Sequence, residues 1–237
     1  MKKSVFIAEK PSVAQEFAKA LKVKTTRHDG YLESENTIVT WCVGHLVTMS
    51  YPEVYDIKYK RWTLETLPFL PGEFKYEVIP AGRKQFEIIS GLLNRADVET
   101  IYVCTDSGRE GEYIYRLVAQ MAGVKGKKEK RVWIDSQTEE EIIRGIKEAK
   151  DLSAYDNLSA SAYLRAKEDY LMGINFSRIL TLRYGNSVSN YLGNKYQVIS
   201  VGRVMTCVLG MVVRREREIR EFVKTPFYRV LGKFSLE

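Results

Sequence analysis

Histidine and cysteine are scarce in this 237-residue chain, with two of the first and three of the second. Cys42, Cys104 and Cys207 stand far apart, form no C-x-x-C pair and have little histidine nearby. That spacing leaves no framework for a zinc finger or a disulfide scaffold, and reads as buried thiols in a reducing cytoplasm. No apolar run approaches the roughly 20 residues that a membrane-spanning helix requires. "MKKSVFIAEK" begins like a secretion signal, but its apolar stretch stops at Glu9. About five residues are too few for the core of such a signal. Acid is missing too: from Tyr170 to Arg215 there is no aspartate or glutamate.

What is present reads as a soluble globular protein, with 45% hydrophobic and 28% charged residues. The length suits one large domain or two ordinary ones. The net charge of +7 is unevenly placed. Residues 1–150 carry 24 Lys/Arg against 22 Asp/Glu, whereas residues 151–237 carry 13 against 8. Arg178, Arg183, Lys195, Arg203, Arg214 and Arg215 occupy the acid-free window, interleaved with amide and hydroxyl side chains. A solvated helical face normally mixes both signs, because i,i+4 pairs help it. An acid-free surface rich in arginine suits a polyanion backbone instead.

Apolar runs and helical spacings alternate through the first 150 residues. "SVFIA" (4–8) reads as a strand buried on both faces, followed by a helix over 12–21 with Pro11 at its start. "GYLESENTIVTWCVGHL" (30–46) predicts two strands around a turn near Glu35-Asn36. Residues 47–80 form a long excursion rich in proline and aromatics. A helix is predicted over 83–96, a strand over 100–105 and a glycine-terminated helix over 109–123. After a charged loop (123–131), "VWID" (132–135) reads as a strand and 136–150 as a helix opened by a capping box. The pattern predicts an α/β fold with a mainly parallel sheet over 1–150. A smaller helical, basic domain follows over 151–224, with a polar linker at "GNSVSNYLGNKYQ", and a stub over 225–237.

Ligands of an open parallel sheet bind beyond the carboxyl ends of its strands. "SVFIA" delivers Glu9 there and "IYVCT" delivers Asp106; Glu110 follows one helical turn later, with Lys10 and Arg109 at the same rim. Gathered carboxylates repel one another, and a hard divalent cation such as Mg²⁺ relieves that repulsion. Such a cluster can protonate a leaving oxygen in phosphoryl transfer. The plain structural alternative makes Asp106 and Glu9 helix caps and Glu110 and Glu112 acids that favour a helix N-terminus.

Four blocks in order, "AEKPSVA" (8–14), "TWCVGHL" (40–46), "TDSGREGE" (105–112) and "SVGRV" (200–204), resemble the N-terminal part of bacterial type IA DNA topoisomerases of the topoisomerase III kind. The first and third of these mark the Toprim domain of that family. The resemblance implies a Rossmann-like Toprim domain, followed by a DNA-groove domain and the first stretch of an arch-forming domain. It implies Mg²⁺-dependent, ATP-independent cleavage of single-stranded DNA, strand passage and religation, with no nucleotide cofactor. Glu9 is then the acid/base residue, Lys10 and Arg109 hold the phosphate, and Glu9, Asp106 and Glu110 are metal ligands. Glu112 supports the fold, and His45 in "VGHL" is read as a structural histidine. Many Toprim proteins have D-x-D where this chain has Gly108, which implies one Mg²⁺ rather than two.

The same resemblance places Arg165, Tyr170 and Arg178 of "RAKEDYLMGINFSR" on the DNA strand, with Tyr170 where the family usually has tryptophan. "GRVMTC" (Gly202, Arg203, Val204, Met205, Thr206, Cys207) matches a DNA-contacting turn usually written G-R-V-Q-T-P; Met205 and Cys207 are the departures. Trp62 matches another DNA-contact position, and core packing serves it equally well. The family's nucleophilic tyrosine belongs to a downstream R-T block that none of the fifteen tyrosines here matches. The chain is therefore expected to be a piece unable to relax DNA alone. Two other readings stay open: another Toprim enzyme such as a primase or nuclease, and a non-catalytic single-stranded-DNA-binding protein.

Overall fold

The structure, a computed structural model, describes residues 2–193 and 195–235. In chain order its regular elements are β1 (Lys3–Ala8), α1 (Pro11–Ala20), β2 (Thr26–His28), β3 (Tyr31–Glu33), β4 (Thr37–Trp41), β5 (Val47–Met49), β6 (Tyr76–Val78) and α2 (Arg83–Leu93). There follow β7 (Val98–Cys104), α3 (Arg109–Ala122), β8 (Lys128–Arg131), α4 (Glu139–Lys147), β9 (Lys150–Asp151), α5 (Asp156–Leu192) and α6 (Arg203–Arg220). Contacts divide the chain into two compact units, Met1–Leu171 and Met172–Glu237.

The first unit is an α/β fold on a seven-stranded sheet of order β2-β3-β4-β1-β7-β8-β9. β4, β1, β7 and β8 run parallel, and antiparallel pairs close both edges. Alternation along the central strands explains their unbroken apolar character. Val5 and Ile7 of β1 point into a core with Ile89, Leu93 and Leu117 of α2 and α3, whereas Phe6 and Ala8 point into a second core with Val13, Phe17 and Ile142 of α1 and α4. A strand covered by helices on both faces has no solvent side on which to place polar residues. Among the described residues no helix is long and apolar enough to cross a membrane.

Local chemistry sets the element ends. Pro11 opens α1, where its missing N–H is no loss. Gly123 closes α3 in the left-handed conformation at φ 64°. The expected strand over 132–135 is not there; the strand is "KEKR", Lys128–Arg131, in parallel register with Thr100–Val103. Its lysines are accommodated because Lys128 and Lys130 reach Glu99 and Asp151. The expected capping box of α4 is not made either. Thr138 forms no side-chain cap bond, and Glu141 accepts from the Asp135 N–H at 3.1 Å.

The 47–80 excursion contains the antiparallel pair β5–β6 and short 3-10 turns. Tyr170 anchors it from α5, its hydroxyl donating to the Ser50 carbonyl at 2.6 Å. The division between units by contacts falls inside α5, and Ala162, Tyr163 and Ala166 join the first unit's core.

In the second unit α5 continues to Leu192, through residues expected to be linker. Small residues let the returning segment lie against it. A Cβ on Gly185 would stand 3.1 Å from the Gln197 carbonyl oxygen, and Ser177 Oγ accepts the Val201 N–H at 2.8 Å. α6 buries none of its residues. Residues 225–235 are exposed and adopt no strand, and Leu236 and Glu237 lie outside the described residues.

Candidate metal centre and adjoining cavity

β1 and β7 are adjacent and parallel, with Ala8 opposite Cys104, so the chain leaves both strands at the same level of the sheet. Glu9 and Asp106 therefore emerge side by side at the carboxyl edge. Neither is a helix cap. Lys10 occupies the cap position of α1 and Gly108 that of α3, and neither helix start has a side-chain cap bond. The plain structural alternative for these two acids thus fails on geometry.

Glu9 is only 7% exposed, and its Oε2 is buried without a hydrogen-bond partner. Burial pushes its carboxyl above the usual range, and the Asp106 charge adds to the effect. The Asp106 backbone N–H and Lys10 oppose it, and Glu110 raises it more weakly. A buried carboxylate with one oxygen unsatisfied is costly when ionised. Asp106 itself is exposed.

The loop that carries Asp106 is held from beneath by Arg131. This guanidinium is fully buried and donates to the carbonyls of Val103, Thr105, Val132 and Asp106 at 3.0, 2.7, 3.0 and 2.6 Å. Its Nε donates to Glu112 Oε2 at 2.9 Å, and Glu112 also accepts from Arg116 at 2.9 Å. Glu112 thus supports the fold, in agreement with its sequence reading. Gly111 is required by the same loop, since a Cβ there would lie 2.1 Å from the Asp106 carbonyl oxygen. Thr105 Oγ1 closes the turn by donating to the Gly111 carbonyl at 2.8 Å.

Glu110, grouped with these acids by its spacing, is engaged elsewhere. Its Oε1 lies 2.6 Å from His45 Nε2. Both residues line a cavity of about 730 Å³ together with Gly108, Arg109, Arg165 and Tyr170. Asp106 lines a different, smaller hollow of about 340 Å³. Among the described residues no three His, Cys, Asp or Glu side chains are disposed to hold a metal ion. The structure thus brings Glu9 and Asp106 together and leaves Glu110 one step away. Lys10 is exposed beside Glu9, and Arg109 is exposed at the cavity.

The DNA-contact candidates fall in varied settings. Arg165 is exposed at the cavity, and Tyr170 is half-buried with its ring edge-on to Phe69 and Phe74. Trp62 is half-buried in the excursion, and Arg178 is 5% exposed. Gly202 and Arg203 to Cys207 form the start of α6, with Arg203, Val204, Met205, Thr206 and Cys207 all exposed. Sequence reasoning missed Arg131, which sits in a lysine-rich run with no periodicity to mark it as buried, and it missed the engagement of His45.

A family model described as the Toprim domain matches residues 4–136, the span that contains this sheet and both acids. The chain belongs to the Toprim family. A second model, described as DNA topoisomerase, matches residues 153–237. Proteins named DNA topoisomerase 3 are similar along almost the whole chain. Those of Bacillus thuringiensis (strain Al Hakam), Shouchella clausii and Bacillus subtilis are 43%, 41% and 40% identical over 230 residues, 97% of this chain. The chain spans about 30% of the length of these relatives. The Toprim match and the mixed, mostly parallel sheet agree with the fold class expected from the sequence.

Proposed function

We propose that this Toprim chain supplies the metal-binding and phosphate-handling part of a type IA DNA topoisomerase acting on single-stranded DNA without ATP. The observation that carries the proposal is Glu9: buried, with one oxygen unsatisfied and its carboxyl pushed up, beside Asp106 at the ends of adjacent parallel strands. The orphaned Oε2 and the exposed Asp106 carboxylate are hard oxygen donors of the kind Mg²⁺ prefers. Glu9 and Asp106 would hold the ion, with Glu110 as a further ligand. When bound, Mg²⁺ supplies positive charge near the phosphate and the departing oxygen.

The protein's own residues do the rest. Glu9 is the carboxyl placed to give a proton to a leaving 3′ oxygen. Lys10 and Arg109 orient the phosphate between them, Arg109 by its forked donors. Arg131 and Gly111 keep the Asp106 loop in place. Arg165 and Arg203, with the acid-free stretch around Arg203, bind the strand's backbone. Val204, Met205, Thr206 and Cys207 shape the contact at the start of α6. The attacking tyrosine is not among the residues of this chain, so the chain alone does not relax supercoiled DNA.

Isothermal titration of the chain with Mg²⁺ tests the reading: one site is expected, lost in Asp106→Asn. Heat-silent titrations, or a site that survives Asp106→Asn, would overturn it. Fluorescence anisotropy with a single-stranded oligonucleotide should show affinity falling steeply with salt.

A further inference from the structure

Glu110 and Asp106 are four residues apart across the start of α3, yet their side chains line different hollows. The cause is on the neighbouring loop. His45 follows Gly44, whose φ of 82° turns the chain after β4. Its Nε2 reaches Glu110 Oε1 at 2.6 Å, and its ring stands edge-on to Tyr113, one turn further along α3. Arg109 and Arg165 line the same cavity, and Asp169 lines it too. Glu110 acts on Glu9 more weakly than Asp106 does. His45 and Glu110 are 40% and 71% exposed, so the pair is open to water and free to separate at little packing cost.

We propose that His45 is a positioning residue that latches Glu110 away from the Glu9–Asp106 pair, and that the third carboxylate joins the metal centre only when this bond opens. The inference rests on the Mg²⁺ reading given above. In it, the ion and His45 compete for one carboxylate. The latch spares the resting site a third negative charge beside the unsatisfied Glu9, and it lowers the affinity for Mg²⁺ by the worth of one hydrogen bond. A histidine serving only as packing would have no such effect.

The test is Mg²⁺ affinity, at one fixed pH, of the parent chain, His45→Ala, His45→Gln, Glu110→Gln and the double variant His45→Ala/Glu110→Gln. Removing the latch should tighten binding about two- to fivefold, the scale of one exposed pair. His45→Gln, whose amide can donate to Glu110, should return affinity toward the parent value. The gain should vanish in the Glu110→Gln background. In parallel, the imidazole signals of His45 should move during the Mg²⁺ titration, while those of His28, the chain's other histidine, stay put. Equal or weaker binding by His45→Ala, or a gain that persists without the Glu110 carboxylate, overturns the latch while leaving the Mg²⁺ site standing. Absence of Mg²⁺ binding in every variant overturns both.

Discussion

Arg131 and Glu112 form an ion pair with neither side chain exposed, Nε to Oε2 at 2.9 Å. The pair links β8 to α3 directly beneath Asp106. Removing one partner leaves a buried charge uncompensated, which costs about 3–5 kcal/mol. Glu112→Gln and Arg131→Met should each lower the denaturation midpoint by at least 6 °C, since 1 kcal/mol moves a chain of this size by about 2–4 °C. Apolar replacement of both members often restores stability in other buried pairs. Here Glu112→Leu/Arg131→Met should recover only part, because four carbonyls each lose a donor. Full recovery in a urea melt would show that the carbonyl bonds contribute little.

Gly111→Ala sets two effects against each other. Alanine favours a helix by about 1 kcal/mol over glycine. Its Cβ, however, would press to 2.1 Å from a backbone oxygen, which cannot swing aside as a side-chain tip can. Overpacking costs typically about 1–3 kcal/mol and the contact here is with backbone, so the net loss should be about 2 kcal/mol. Mg²⁺ affinity should fall with it, since the Asp106 backbone must move. A variant as stable as the parent would contradict the geometry.

Gly108 behaves in the opposite way. Its φ of 176° is ordinary extended backbone, and a Cβ would meet nothing within 4 Å. Gly108→Asp should fold with equal or greater stability, as aspartate is a favoured helix cap. It restores the D-x-D spacing and adds a carboxylate at the cavity rim. Mg²⁺ binding should then tighten by about tenfold, because ligand charge count tunes affinity for hard cations. An unchanged isotherm would separate the position from the metal.

Glu9→Gln tests the raised carboxyl through stability. Burial, then Asp106, lift the folded-state pKa above the unfolded one. The protonated form is thus favoured by folding; its contribution is complete below the unfolded value and is lost as pH rises through the folded value. The glutamine variant escapes that loss. It should be more stable than the parent at neutral pH, because it carries no buried negative charge beside Asp106. The gap should close below about pH 4. Saturating Mg²⁺ should raise the parent's midpoint and leave the variant's less changed. A pH-independent difference between the two proteins would rule out this account.

Tyr170→Phe addresses the aromatic placed on the DNA strand. The hydroxyl bond to Ser50 is worth about 1 kcal/mol, and its loss should loosen the 47–80 excursion in hydrogen exchange. The ring remains, held edge-on by Phe69 and Phe74, so single-strand affinity should stay within about twofold.

The strands, the helices and the two central acids were legible in the chain because their signals are local. A strand covered on both faces must be apolar throughout, and "SVFIA" and "TIYVC" are. Acids directly after such strands must meet if the strands are neighbours and parallel. β8 was misplaced because a run of lysines carries no apolar period, and only its ion pairs with Glu99 and Asp151 let it lie in a sheet. The continuation of α5 through Gly185 was hidden for a related reason, since glycine and serine there serve a close approach rather than a break.

Residue order by itself determined the α/β architecture and the basic character of the second unit, whereas the meeting of Glu9 and Asp106 needed β1 and β7 to pair. Hydrophobic periodicity and charge are properties of neighbours along the chain. Only the tertiary structure decided that Glu110 turns to His45, 65 residues away, and that Arg131 donates to both Glu112 and the Asp106 carbonyl. Those choices depend on which side chains meet once the strands are stacked, and a hydrogen bond between distant residues leaves no mark on the spacing of either.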